Sequence, residues 1–317
     1  MNLSLEAIAA RDLEIVTIVF DQEIELFRLQ ARSLARNLSS EFRRIHVVMN
    51  EFGHSSLRAE VAAIVEAEFG SFERERVQIW SSRDLLSVSD SRGWLTQQIL
   101  KLKMASHVEA EKYVVLDAKN HLIRKTGVAS FIASDGRPYM ARTWNCMPLK
   151  EYIIGSLKTF RLDADIADQL TMPSITPFVL YTKAVLNMIT EIENIQNLSF
   201  DECFLSGKEN VSEFGLYAAF FIKNNISLES AYWCDKTICT TLWRQWASTE
   251  ERQLKQLANL SHDDMVMLGL HRNSFSPMSD QARKTIFKIW VDSGLFEEGS
   301  DAAAYWDVLE KRFAEAV

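Results

Sequence analysis

The sequence predicts an α/β fold built on a central, mostly parallel sheet flanked by helices. Three observations carry this. Short apolar, β-branched runs recur at 13–20, 44–50, 77–80 and 113–117, and such runs read as strands buried on both faces. The segments between them show helical spacing of apolar residues. The 317-residue chain is 47% hydrophobic and 25% charged, the balance of a globular protein with a large core that needs no disulfide or metal to fold.

The elements follow in order. LEIVTIVF is a first strand, ended by Asp21. Leu26, Leu29, Leu34 and Leu38 mark a helix. RIHVVMN is a second strand, and Ser55 and Ser56 precede a helix that Gly70 closes. A short strand at 77–80, a helix over 94–108 and the strand YVVLD complete the first half. Alternation of this kind makes βαβ units. Beyond it the pattern loosens. Strands are expected at 138–144 and 175–181, the second at an edge because of Pro177. A helix at 182–195 could be capped by Thr182, and a helix at 212–223 has Ser212 as cap. Another helix spans 250–260, a late strand 265–270, and two helices close the chain. No repeat or linker appears, so one domain is expected, with a regular half at 1–125, a more irregular half at 126–275 and a helical extension at 276–317.

Composition excludes several classes. Acids outnumber Lys and Arg by 43 to 35, a net charge of −8, which argues against nucleic acid as a partner. No apolar run approaches the roughly 18 residues of a spanning helix. The first residues lack a basic stretch followed by an apolar one, so no signal peptide is expected. Cys146, Cys203, Cys234 and Cys239 are scattered without a CxxC pair and read as reduced thiols of a cytoplasmic protein. There is no GxGxxG, P-loop or HExxH element, and no GxSxG. The six histidines, His46, His54, His107, His121, His262 and His271, are dispersed.

Ligands of open parallel sheets bind at the carboxyl ends of the strands. Asp21 and Asp117 stand at such ends and Asp84 follows the third strand; each could instead be a turn or cap residue. On the helix at 94–105, Leu95, Ile99 and Leu102 form a core stripe, while Gln98 and Lys101 share an adjacent face. That face either points at a ligand or is a solvated edge.

The segment KLKMASHVEAEKYVVLDAKNHLIRK holds the densest signal. Lys101-Leu102 lies sixteen residues before Asp117, which opens the run Asp117-Ala118-Lys119-Asn120. This resembles the helix, strand and D-x-D element of GT-A glycosyltransferases, the glycogenin-like members among them. GWLTQQILKLKMA and VSEFGLYAAFFIK are similar to elements of a group of bacterial GT-A-like proteins. The resemblance covers about 13–272. It implies a GT-A-like fold with a nucleotide-sugar-binding half at 1–125 and an acceptor-side half at 126–275, a nucleotide-sugar donor, a glycan acceptor and a setting in bacterial surface polysaccharide synthesis.

In such enzymes D-x-D holds Mn²⁺ or Mg²⁺, which stabilises the diphosphate leaving group. Here Lys119 occupies the second acidic position. Either Asp117 binds a metal with a partner such as His271, or no metal binds and Lys119 and Lys101 supply the charge. The second arrangement is favoured, because an ammonium repels a cation. Asp21, Asp84, Gln98, Lys101, Asp117, Asn120 and Arg272 are the expected donor-binding residues, with Arg272 clamping phosphate. Lys119 and Glu213 are the expected catalytic residues. By the resemblance Glu213 faces the acceptor, where a carboxylate suits removal of a hydroxyl proton; it could instead be a helix-terminus acid. Arg142, Trp144, Lys158 and Arg161 are candidates near the acceptor, Trp144 as a sugar platform or a buried indole. Trp306, Leu309 and Phe313 form a stripe on the last helix that packs on the domain, pairs subunits or touches a membrane surface. Two functions compete on this fold: a glycosyltransferase, and a catalytically silent nucleotide-sugar-binding protein.

Overall fold

The computed structural model describes residues 13–51, 56–87, 93–141, 149–169, 175–206, 209–234, 236–245 and 247–314. Its first half runs β1 (Leu13–Phe20), α1 (Ile24–Asn37), β2 (Ile45–Asn50), α2 (Leu57–Arg74), β3 (Val77–Ser81), α3 (Ser82–Leu85), α4 (Gly93–Lys103) and β4 (Lys112–Asp117). The remainder runs β5 (Asn120–Leu122), β6 (Tyr139–Met140), α5 (Leu149–Thr159), β7 (Phe178–Tyr181), α6 (Thr182–Gln196), α7 (Phe200–Leu205), α8 (Glu213–Lys223), α9 (Leu228–Ala231), β8 (Trp233–Cys234), β9 (Cys239–Leu242), α10 (Glu250–Ala258), β10 (Met267–Leu270), α11 (Asp280–Asp292) and α12 (Gly299–Ala314).

The central sheet has the order β3-β2-β1-β4-β7. Its first four strands are parallel, and β7 closes the edge antiparallel to β4. Pro177 precedes β7, where the lack of an N–H costs no ladder bond. The order reverses between β1 and β4, which opens a crevice beyond their carboxyl ends.

The pleat sorts the core. Leu13, Ile15 and Val19 of β1 pack with Val114 and Leu116 of β4 against α1, α2 and the C-terminal helices. Val16 and Ile18 pack with Tyr113 and Val115 against α4, α6 and α8. Side chains alternate along a strand, so Asp117, in register with Tyr113 and Val115, is directed to the α4 and α8 side. A second sheet, β5-β10-β9, extends the chain beyond β4. In it β10 runs antiparallel to β5 and parallel to β9.

Several local expectations are corrected. Thr182 does not cap α6: Tyr181 is the N-cap residue, and the Thr182 hydroxyl donates to the Ala110 carbonyl at 2.7 Å. The helix expected over 94–108 ends at Lys103 and gives way to a 3-10 turn at Met104–Ser106. At Gly70 the backbone leaves helical geometry with φ 65°, and a short helical stretch follows to Arg74. The strand expected at 138–144 is only Tyr139–Met140 within the described residues. The strand expected at 265–270 is β10, which begins only at Met267 and lies in the second sheet. Ser55, Arg142, Trp144 and Cys146 lie outside the described residues. Ser212 caps α8, accepting from the Gly215 N–H at 3.1 Å.

The last helix packs on the domain. Trp306, Leu309 and Phe313 are buried, and Trp306 lies against Phe275 with ring centroids 4.7 Å apart. Trp290 of α11 donates its indole N–H to His121 Nε2 of β5 at 2.9 Å. Among the described residues no helix is long and apolar enough to cross a membrane.

The Trp290 contact needs a neutral imidazole. Burial lowers the His121 pKa to about 3, whereas the unfolded chain takes up that proton near pH 6.5. The stability His121 contributes is therefore complete above about pH 6.5 and is lost progressively as pH falls toward 3. Urea unfolding of the wild type should show stability declining across this window. His121→Gln, which keeps an acceptor for Trp290, should flatten the decline; an identical slope would show that other groups carry it.

Candidate active site

A cavity of about 450 Å³ opens at the carboxyl ends of β1 and β4, within the range of small-molecule sites. Its walls come from several parts of the chain. The chain after β1 brings Gln22 and Glu23, and α4 brings Trp94, Gln97, Gln98 and Lys101. Asp117 ends β4 and Lys119 follows it, with Thr176 beside them, and Ser212, Glu213 and Phe214 stand at the start of α8. Trp243, His271 and Arg272 come from the ends of β9 and β10.

At its base Asp117 lies between two ammonium groups. Lys101 Nζ is 2.8 Å from Asp117 Oδ1 and 3.0 Å from Glu213 Oε1, and Lys119 Nζ pairs with Asp117 Oδ2. Thr176 Oγ1 is 2.8 Å from both Asp117 Oδ2 and Asn120 Oδ1; its single proton serves one of them at a time. Burial alone would raise the Asp117 pKa, but the ammonium groups of Lys101 and Lys119 outweigh it and hold the carboxyl well below the usual range. Burial likewise disfavours the charged Lys101, which is 4% exposed, and the two carboxylates outweigh this and hold its pKa above the ordinary lysine value.

The turn after β4 is held from behind. Gln30 of α1 donates from Nε2 to the carbonyls of Asp117 and Asn120, both at 2.8 Å, and its Oε1 accepts from Thr17 Oγ1 at 2.7 Å. Asn120 accepts the Asp117 N–H at 3.0 Å. It is fully buried and shapes the turn rather than lining the cavity. On the other wall, Gln98 Oε1 accepts the Glu213 N–H at 3.1 Å, which fixes α4 to the start of α8. Gln98 is 1% exposed, and its Nε2 has no partner among the described residues.

Arg272 Nη1 donates to Gln22 Oε1 at 3.0 Å. Trp243 lies against His271 with centroids 4.6 Å apart, and Lys119 Nζ sits 5.2 Å from the Trp243 ring centroid. His271 Nδ1 accepts the Asn273 N–H at 3.2 Å, so the neutral ring carries its proton on Nε2. Burial, then Lys119 and Arg272, lower the His271 pKa to about 4. Burial also raises the pKa of Glu23 and favours its neutral form. Lys101, Lys119 and Arg272 are the lysine and arginine cations of the lining.

These groups fit an anion and do not fit a divalent cation. Both oxygens of Asp117 are occupied by ammonium groups. His271 would have to give up the bond from Asn273 to free Nε2 as a ligand. A doubly charged ion about 4 Å from one lysine would meet a repulsion of about 8 kcal/mol at an effective dielectric near 20.

The structure thus brings Gln98, Lys101, Asp117, Lys119, Glu213, His271 and Arg272 into one cavity. It does not bring Asp84 there. Asp84 accepts the Ser81 N–H at 3.1 Å as the acid of a capping box on α3. Asp21 sits in the turn after β1, its carbonyl accepting from Arg312 at 3.0 Å, and does not line the cavity. Lys158 and Arg161 are exposed and also lie off it. Residues the sequence reading passed over are Glu23, Gln30, Thr176 and Trp243. Only Gln30 left a trace, as a polar residue among the apolar positions of α1.

The chain belongs to DUF6492, a family of unknown function whose profile matches residues 4–258. No curated protein matches the sequence significantly. Among solved structures it is similar to the galactosyltransferase LgtC in complex with donor and acceptor sugar analogues. That match covers 90% of this chain and 96% of that one, with a TM-score of 0.50 and 11% identity. An active-site mutant of LgtC aligns over 88% of this chain and 99% of that one, with a TM-score of 0.47 and 12% identity. At such identity the likeness is one of fold, and the fold is the GT-A-like one.

Removing one member of a buried ion network strands its partners. Lys101→Met should lower unfolding free energy by about 3–5 kcal/mol at neutral pH, the cost of leaving a buried charge unpaired. Denaturant unfolding measures this. A loss under about 1 kcal/mol would mean that Lys101 behaves as a solvated surface lysine.

Proposed function

We propose that the protein is a glycosyltransferase that moves a sugar from a nucleotide-activated donor to a glycan acceptor, with lysines rather than a divalent cation neutralising the leaving diphosphate. The observation that carries this is Asp117 held between Lys101 and Lys119 at the switch point of the sheet, on the fold of an enzyme solved with donor and acceptor sugar analogues.

The chemistry follows from charge. The acceptor oxygen attacks the anomeric carbon, the bond from that carbon to the diphosphate oxygen breaks, and the diphosphate leaves with the electron pair. Negative charge grows on the leaving group, where fixed cations in a low-dielectric site are worth most. Lys119 exchanges its carboxylate partner for a phosphate oxygen, Arg272 offers a planar fork, and the His271 Nε2–H adds a neutral donor. The proton of the acceptor hydroxyl goes to a carboxylate, and Glu213 is the one on the α8 wall. The resemblance of the motifs to bacterial proteins supports surface polysaccharide, or another glycan, as the product.

One observation favours a second reading. Glu213 is already paired with Lys101, and an oxygen so held must leave its partner before it can take the acceptor proton. The same cavity would then bind a nucleotide-sugar without turnover.

A thermal-shift panel of UDP-, GDP- and CMP-sugars tests the first reading. At least one donor should raise the apparent stability in proportion to occupancy and should be turned over on addition of a saccharide acceptor. Glu213→Gln should cut that turnover about 10²–10⁴-fold with donor binding little altered. Stabilisation without turnover would establish the silent binder. No stabilisation by any donor would contradict both.

A further inference from the structure

The face of α4 that lines the cavity runs Trp94, Gln97, Gln98, Lys101, the i, i+3, i+4, i+7 spacing of one helix side. Its two ends differ sharply. Lys101 is buried at the base, whereas Trp94 is 54% exposed. Seven residues of helix separate them by about 10 Å along the axis. That span is long enough for a glycosyl unit to lie along this face between the charged base and Trp94.

Trp94 is not a stray surface residue. Its ring meets that of Tyr152 of α5 edge to face, with centroids 5.3 Å apart at 70°, and Tyr152 lines the same cavity. Of the exposed large apolar residues Trp94, Leu186, Leu198, Trp233 and Val308, Trp94 is the one among the described lining residues. An aromatic face offered to solvent beside polar groups suits a sugar ring, which has an apolar C–H face and hydroxyls on its rim.

Gln98 narrows the class of ligand. Its Nε2 is buried without a partner among the described residues, between the two ends of this face. A lipid or other apolar molecule lying there would leave those N–H groups unsatisfied, which is costly. A hydroxyl-rich ligand would satisfy them.

We propose that Trp94 and Tyr152 form the acceptor platform, seating one pyranose ring of a saccharide, with Gln98 donating to a hydroxyl of the sugar in transfer. This rests on the transferase reading for the word acceptor, while the sugar site itself can be tested without turnover.

The test uses the full chain with labelled tryptophan, the Trp94 indole resonance being assigned through Trp94→Phe. Methyl glycosides of glucose, galactose, mannose and N-acetylglucosamine are titrated with and without UDP, with cyclohexanol as apolar control. At least one glycoside should shift the Trp94 N–H saturably, and cyclohexanol should not. In Trp94→Ala the half-saturating glycoside concentration should rise about tenfold, the scale of one aromatic contact. Trp94→Phe should restore most of it, and nucleotide-sugar stabilisation should be unchanged in both variants. Nucleotide-sugar binding with no glycoside moving Trp94, or a stronger response to cyclohexanol, would overturn the platform. Glycoside binding at Trp94 with no nucleotide-sugar binding would leave the platform standing and defeat the transferase reading instead.

Discussion

A carboxylate at the end of a buried strand stays ionised only if cations reach it, and here two do. The Asp117 pairs with Lys101 and Lys119 join three parts of the chain: the strand that carries the acid, the helix before it and the turn after it. Glu213 extends the network to α8. At about 4 Å and an effective dielectric of 20, each such pair is worth about 4 kcal/mol before desolvation, so the alternating arrangement of acids and lysines is what lets so much charge lie beneath the surface.

The surroundings hold those charges in place. Gln30 and Asn120 fasten the turn after β4 from inside the core. The start of α8 is fixed by Gln98 and by close packing of α5 against its neighbours. A Cβ on Gly155 would overlap the carbonyl oxygen of Asn210, and one on Gly215 would lie 2.6 Å from Ser156 Oγ. Glycine at these two positions lets backbone and helix approach closely, which sets where Glu213 stands relative to Lys101. The apolar sheet makes the site rigid, and the polar clasps give it its geometry.

Much of the first half was legible because its signals are local. A run such as LEIVTIVF is buried on both faces and needs no context to read as a parallel strand. The α4 face was legible because a helix fixes which residues share a side, so Gln98 and Lys101 could be paired from spacing alone. The second half hid its order because β5, β9 and β10 have three or four residues each, and β5 pairs with β10 across more than a hundred positions. Thr176 and Trp243 reach the cavity from loops, where nothing local marks them. Asp84 misled for a physical reason: an acid that closes a capping box and an acid that faces a ligand look alike when both follow a strand. The lysine in the acidic position of the D-x-D-like run was readable as a departure, and the sharing of Asp117 between that lysine and Lys101 required coordinates.

The central claim is that protein cations, not a metal, receive the diphosphate. Calorimetric titration with a nucleoside diphosphate, UDP or GDP, in EDTA and again with Mn²⁺ tests it directly. The account predicts the same affinity in both solutions and a loss of about tenfold or more in Lys119→Ala, the scale of a hydrogen bond to a charged group. Binding that requires Mn²⁺ and is indifferent to Lys119 would contradict it.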